Sequence, residues 1–358
     1  MKVSGRHYRT IWPVAGGVVR VIDQSRLPFE FCTVDLETLE DAARAIRTMI
    51  VRGAPLIGAT AAYGIALGLR ADASDAGLEA AERALRATRP TAQNLGWALL
   101  RMRRALEAVP PRDRVEIAYR EASSICDADV EQCRAIGRHG MQILRKLAAS
   151  SGRAVNVLTH CNAGWLACVD WGTALAPIYL AHDAGLAVHV WVDETRPRNQ
   201  GAALTAFELG SHGVPHTVIA DNLGGLLMQR GEVDVVLVGS DRTTASGDVC
   251  NKVGTYLKAL AAHDNGVPFY AALPLSTIDW SLDAGRDIPI EERPPAELTY
   301  VTGLAQSGAI ETVKVIPDGS AALNFAFDVT PARLVTGLIT EHGVHPANRT
   351  ALGSVRPR

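Results

Sequence analysis

Apolar residues recur at helical spacing through "LETLEDAARAIRTMIV" from Leu36, pause at "RGAP" (residues 52–55), and resume in the small-residue run "LIGATAAYGIALGL". Two helices are therefore predicted, one on each side of the glycine and proline. Ahead of them, "YRTIW", "VVRVID" and "FEFCTVD" surround an "AGG" turn and read as a small antiparallel sheet. Residues 73–150 follow helical spacing as well, with breaks at "TRPTAQNLGWAL" and "VPPRDR" and a connecting helix over about 113–148.

Beyond "SSGR" the pattern changes to strands and helices alternating at about thirty residues, the rhythm of βαβ crossovers. The strands are "AVNVLTH", "AVHVWVD", "HTVIAD", "VDVVLVGSD" and "PFYAALP". Each is apolar almost throughout, as a strand covered on both faces must be, which predicts a parallel sheet. The expected fold is α/β: a mainly helical N-terminal domain with a small antiparallel sheet over residues 1–125, then a Rossmann-like parallel-sheet domain over 126–358.

Ligands of such sheets bind beyond the carboxyl ends of the strands. The five strands end in His160, Cys161 and Asn162; Asp193, Glu194, Thr195 and Arg196; Asp221 and Asn222; Gly239, Ser240, Asp241 and Arg242; and Ser276 and Thr277. Any one of these groups alone reads as ordinary loop polarity. Together they predict one polar crevice. Cys161 falls in it, while Cys32, Cys126, Cys133, Cys168 and Cys250 read as small buried hydrophobes. Asp241, following an apolar strand, is placed where low dielectric raises a carboxyl pKa and suits it to proton transfer. A helix cap or a salt bridge with Arg242 accounts for its position equally well on spacing alone. In "RGAP", Pro55 suits the first helical position, the amides around Gly53 and Ala54 would face an anion, and Arg52 adds a positive charge. As punctuation alone the motif is weak. "GDVCNKVGTY" reads as another helix start carrying Asn251 and Lys252, either a phosphate or hydroxyl contact or a solvated terminus. Arg196 is expected to order the crevice through Asp193 or Glu194, or to be structural.

Composition narrows the classes. With 358 residues, 47% of them hydrophobic, and a formal net charge of −2, the chain can bury a large core and has no basic field for nucleic acid. The six cysteines are scattered, which fits a reducing cytoplasm better than a disulfide scaffold. The opening residues lack a signal core, and no apolar run is expected to reach the roughly 18 residues of a membrane span. Dinucleotide, Walker, zinc-protease and serine-elbow motifs do not occur, and the ten histidines are dispersed.

Several stretches together resemble the methylthioribose-1-phosphate isomerases of methionine salvage, a branch of the superfamily that includes translation-initiation exchange-factor subunits. They are "VRGAPLIGATAAYG", "TRPTAQNLGWAL", "THCNAGWLA", "VDETRPRNQGAALTAFEL", "GSDRTTASGDVCNKVGTY", "FYAALPLSTID", "IPIEER" and "AFDVTPARLVTGLITEHGV", spread over about residues 8–344. The resemblance implies a catalytic pair, Cys161 and Asp241. It also implies substrate and phosphate binding by Arg52, Gly53, Ala54, Arg89, Gln200, Asn251 and Lys252, no metal or redox cofactor, and a homodimer. The implied substrate is an aldose locked as a ring by its C1 phosphate ester, so the enzyme itself must open the ring. A hydride shift and a phosphoenolate route both fit the pair. Trp165, Leu227 and Ser240 depart from the commonest family form. If they line the pocket, the two apolar ones favour an uncharged C5 tail over the second phosphate of ribose 1,5-bisphosphate; 5-deoxyribose 1-phosphate remains an alternative. A regulatory protein of the same fold would need neither Cys161 nor Asp241.

Overall fold

Strands Ile11–Val14, Val18–Ile22 and Thr33–Leu36 pair antiparallel as a three-stranded sheet in the computed structural model, which describes residues 1–357. The chain then turns helical: α1 (Leu39–Arg47), α2 (Ala54–Ala71), α3 (Asp75–Arg86), α4 (Gln93–Leu106) and α5 (Pro111–Ser151). Helix α1 starts in a reciprocal capping box between Thr38 and Asp41, which satisfies two backbone donors that the first turn leaves open. Helix α2 is long and apolar enough to cross a bilayer, contrary to the expectation from sequence, but 72% of it is buried inside the protein. Its apolarity serves packing: Leu56, Tyr63, Ile65 and Leu69 sit in a core shared with α1, α3, α4 and the first half of α5. At Gly58 a Cβ would lie 2.9 Å from the Asn94 carbonyl, so the small residue lets α2 and α4 approach closely.

Helix α5 runs 41 residues, about 60 Å at 1.5 Å per residue, and ends at Gly152 in the left-handed conformation. Its first half contributes Ala118, Ala122 and Ile125 to the helical core, and its second half contributes Ile136 and Leu144 to the core against the sheet. The single long helix thus fixes the two cores relative to each other.

The sheet that follows has seven strands, in the spatial order Gly343–His345, Gly337–Thr340, Phe269–Ala272, Val235–Val238, Val155–Thr159, Val188–Asp193, His216–Ile219. Five of the six pairings are parallel, and only Gly343–His345 joins antiparallel. All five predicted strands are present. The order reverses between Val155–Thr159 and Val235–Val238, which are neighbours in the sheet. A reversal of this kind splays the two crossover connections to opposite faces and opens a crevice between the strand ends.

Two further pieces were not foreseen. A four-stranded sheet, ordered Ile278–Asp279, Arg242–Thr244, Val249–Lys252, Phe327–Thr330, sits at the carboxyl end of the large one, and a hairpin pairs Tyr300–Leu304 with Ile310–Lys314. The first of these corrects the reading of "GDVCNKVGTY". Asn251 and Lys252 end a strand, and the helix, α9 in a set completed by α6 (Ala176–Asp183), α7 (Ala206–His212) and α8 (Leu223–Gln229), begins only at Thr255.

Candidate active site

Cys161 and Asp241 follow the two strands that flank the reversal, and both face one cavity. Arg52, Gly53, Ala54, Arg89, Gln200, Asn251 and Lys252 line the same cavity, so the nine residues singled out from the sequence are brought together. The space not filled by protein, counted out to where the cleft opens to solvent, is about 710 Å³.

Each element delivers its residue for a local reason. Gly53 takes φ +93, and a Cβ there would lie 2.4 Å from Ala167 Cα and 2.5 Å from its carbonyl oxygen. Only glycine lets the start of α2 close on the loop that follows Cys161. Pro55 occupies the second helical position rather than the first, where it likewise forfeits no intrahelical bond. We expect Gly53→Ala to cost about 2 kcal/mol or more, because backbone atoms must give way and the side chain must adopt a strained φ. The check is a lowered thermal midpoint together with a raised KM for a phosphorylated ligand.

Cys161 itself has φ +66, unusual for a residue with a side chain. Its N–H donates to Thr195 Oγ1 at 2.9 Å, and its carbonyl accepts from Thr205 Oγ1 at 2.7 Å. These two hydroxyls hold a conformation the free chain would avoid. The next residue, Asn162, accepts from the Arg52 guanidinium through both its side chain and its carbonyl. Its amide nitrogen donates to Glu208 at 2.9 Å. Glu208 is fully buried and also accepts from the Trp165 and Leu166 amides and the Tyr179 hydroxyl, so one carboxylate ties down the whole loop after Cys161. Burial pushes its pKa up, against these four donors.

Burial also raises the Cys161 thiol, with Arg52 and Lys252 pulling it down and Asp241 pushing it up. The Asp241 carboxyl is raised by desolvation, which outweighs the attraction of Lys252, Arg89 and Arg52. Its backbone is tied to the neighbouring hairpin by a 2.9 Å bond from its N–H to the Cys250 carbonyl. The expected alternative pairing with Arg242 is not made: that guanidinium donates to Asp279 and to the Thr91 carbonyl. Lys252 is lowered by burial, and among the described residues no carboxylate pairs with its ammonium, which lies 5.1 Å from the centre of the Phe327 ring. Arg89 donates to Glu291, which also holds Arg293. Subtracting that offset pair leaves Arg52 and Lys252 facing a carboxyl that favours its neutral form. The balance suits an anionic ligand.

Several expectations change. Only the first, fourth and fifth strand ends reach the cavity; Asp193 and Asp221 lie behind it, with Asp221 accepting from the Thr195 and Arg196 amides. The Arg196 side chain donates to the Pro197 and Leu298 carbonyls and not to Asp193 or Glu194. Trp165 and Leu227 are buried in separate cores away from the cavity, whereas Ser240 lines it. Cys168, read as an inert core thiol, also lines it. Asn162 and Thr195 were placed at the crevice but given no role, and Glu208 and Arg293 were missed as site residues; Arg293 lies within the quoted "IPIEER".

Among the described residues, two groups have the composition of metal ligands. One is Asp129, Cys133 and Cys168; the other is His160, Asp193 and Asp221. In the first, burial raises Asp129 to about 7, and contact with Cys168 together with burial raises the Cys133 thiol. In the second, the Lys258 ammonium already stands 3.1 Å from Asp193.

Comparison with known proteins gives the following. The chain matches the Initiation factor 2 subunit family over residues 50–347. It is 67% identical, over all of its own length and 98% of the other, to a protein of Methylorubrum populi named methylthioribose-1-phosphate isomerase. The structure of 5-methylthioribose 1-phosphate isomerase from Pyrococcus horikoshii OT3 superposes with a TM-score of 0.84 at 40% identity, covering 98% of this chain and 97% of that one. That of translation initiation factor eIF-2B, subunit delta, from A. fulgidus gives 0.79 at 37% identity, covering 97% and 100%.

Proposed function

The chain belongs to the methylthioribose-1-phosphate isomerases of the initiation factor 2 subunit family, and from that premise we propose how its cavity carries the reaction. The chain converts 5-methylthioribose 1-phosphate to 5-methylthioribulose 1-phosphate in methionine salvage, an aldose–ketose isomerisation. The observation that carries the assignment of roles is the placement of Cys161 and Asp241 on the two strand ends flanking the sheet reversal, in a cavity with Arg52 and Lys252.

Arg52 and Lys252 hold the phosphate, with the Gly53 and Ala54 backbone closing on it; Arg89, Gln200 and Asn251 bind the sugar. Asp241, neutral because it is desolvated, donates its proton to the ring oxygen as the bond from that oxygen to C1 breaks. The ester oxygen stabilises the resulting cationic C1. The Asp241 carboxylate then takes the proton of the C2 hydroxyl as the C2 carbonyl forms, which restores the acid. The C2 hydrogen reaches C1 in one of two ways. It moves directly as hydride past Cys161, or Cys161, as the thiolate that Arg52 and Lys252 favour, takes it as a proton to leave an enol phosphate and then, as the thiol, returns a proton to C1. Only the second route puts solvent deuterium on C1.

An apolar recess beside Asp241, lined by Ile57, Ala92, Cys250, Ile288, Pro289 and Phe327, suits an uncharged C5 tail. Trp165 and Leu227, buried in separate cores, do not form this recess. The two arginines at its margin, Arg89 and Arg242, are already paired with Glu291 and Asp279. The test is substrate range. The methylthio and 5-deoxy substrates should differ in kcat/KM by roughly 10-fold, since a small apolar change is worth about 1–3 kcal/mol. Ribose 1,5-bisphosphate should be converted at least about 100-fold less well, its second phosphate being desolvated without a free cation; a preference for it would contradict the assignment.

Arg52→Met should raise KM by about 10- to 100-fold, the loss of a charge-assisted contact worth about 1.5–3 kcal/mol. Thermal stability should also fall, by about 1–3 kcal/mol, since the side chain and carbonyl of buried Asn162 lose their guanidinium donor. Steady-state kinetics with a thermal melt checks both. We also place the chain in the cytoplasm, because its cysteines are free, divide it at about residue 125, and assign it a homodimer. Support for the dimer comes from Tyr300, Leu304 and Ile310, exposed together on one face of the hairpin Tyr300–Leu304 and Ile310–Lys314.

A further inference from the structure

Immediately before Cys161 stands His160, 1% exposed and absent from the roles assigned above. Its Nδ1 lies 3.0 Å from an Asp193 carboxylate oxygen, and its Nε2 lies 2.9 Å from the Val253 carbonyl oxygen. Both partners can only accept, so both ring nitrogens must donate, and an imidazole with two N–H groups is the cation. The surroundings balance that charge. Asp193 extends from the strand Val188–Asp193, Asp221 comes within 3.9 Å of Nδ1 from the loop after His216–Ile219, Lys258 of α9 shares the Asp193 oxygen at 3.1 Å, and Asp328 of the side sheet accepts from the Gly254 and Tyr256 amides at the start of α9.

The connections of the ring give it a purpose. It is covalently joined to Cys161, and through Nε2 it holds the carbonyl of the residue after Lys252. It therefore links the two strand ends that carry the thiol and the ammonium. Gly254, at φ +105, allows the contact: a Cβ there would stand 3.1 Å from His160 Nε2 and 3.3 Å from the Lys258 nitrogen.

We propose that His160 is a positioning residue whose doubly protonated ring fixes the Cys161 thiol in register with the Lys252 ammonium. The proposal rests on the reading of Cys161 as catalytic. Two variants separate the two bonds. The His160→Asn amide reaches the Nδ1 position and keeps the Asp193 bond; the His160→Gln amide reaches the Nε2 position and keeps the Val253 bond. If the link to Lys252 matters, His160→Asn should lower kcat about 100-fold and His160→Gln only about 10-fold, each within the range attributed to misplaced catalytic groups. KM should stay within about threefold in both. Equal losses, or losses that follow the thermal midpoints, would overturn the proposal.

The wild-type chain supplies a test that needs neither activity nor a folded variant. With nitrogen-15 histidine, NMR should show one ring with protons on both nitrogens at neutral pH, assigned by its absence from the His160→Gln spectrum or, if that variant does not fold, by its coupling to the Val253 carbonyl. A neutral ring at His160 would overturn the proposal. Full activity in Cys161→Ser would instead remove the reading beneath it and leave the ring's protonation standing.

Discussion

Cys161→Ser is expected to lower turnover by about 10³-fold, within the range for loss of a group that handles a proton in the transition state. The backbone provides the control. The left-handed conformation of residue 161 is held by Thr195 and Thr205 through main-chain atoms that serine retains, and the loop beyond it is anchored by Glu208. The variant should therefore melt like the wild type and bind phosphosugar with an unchanged dissociation constant. What is lost is the thiol: a hydroxyl is smaller, less polarisable and a far weaker acid. A variant that keeps a tenth or more of the turnover would show that the thiol only fills space.

Asp241→Asn is expected to lower turnover by about 10²- to 10⁴-fold, the usual share of general acid–base catalysis, and to raise stability at neutral pH. The direction of the second effect follows from the raised carboxyl. Desolvation shifts Asp241 upward in the folded state despite three nearby cations, so the folded protein holds a proton that the unfolded chain releases. Its stabilising contribution is fully present below about pH 4, the ordinary value of an aspartate, and is lost as the pH rises through the higher folded value. Asparagine does not titrate. The stability gained over wild type should therefore grow with pH above about 4 and level off once the wild-type carboxyl has ionised. Denaturant midpoints of both proteins across that range test this. In the wild type, activity that needs the neutral acid should fall on the alkaline side of the same pKa, and this limb should be absent from the residual activity of the variant.

The site was legible where a residue's position follows from a strong local pattern. Strands covered on both faces leave unbroken apolar runs, so their carboxyl ends, and with them Cys161 and Asp241, could be placed by counting. Arg52 and Gly53 were marked by the break at "RGAP", weak as punctuation alone, together with the resemblance of the stretch around it. What was missed depends on distant pairing. The three- and four-residue strands around Asn251 and Lys252 are too short to show a period, and they form a sheet only because Phe327–Thr330 returns beside them from about 75 residues on. Glu208 lies on a helix more than forty residues from the loop it holds, and nothing near it in the chain marks it as the acceptor of four hydrogen bonds. Trp165 and Leu227 failed in the other direction. As departures from the commonest family form, Trp165 beside the Cys161 motif and Leu227 in "DNLGGLLM" suggested the pocket, but an apolar side chain beside a polar crevice gains more by turning into the core, which both do.

The most direct test follows purified protein by NMR in deuterated buffer with 5-methylthioribose 1-phosphate, alongside Cys161→Ser and Asp241→Asn. Conversion to the ketose by the wild type alone, with both variants folded and able to bind, is the predicted result, and deuterium at C1 selects the proton-transfer route over the hydride shift. Conversion at the wild-type rate by either variant, or none by the wild type, would contradict the assignment of this cavity.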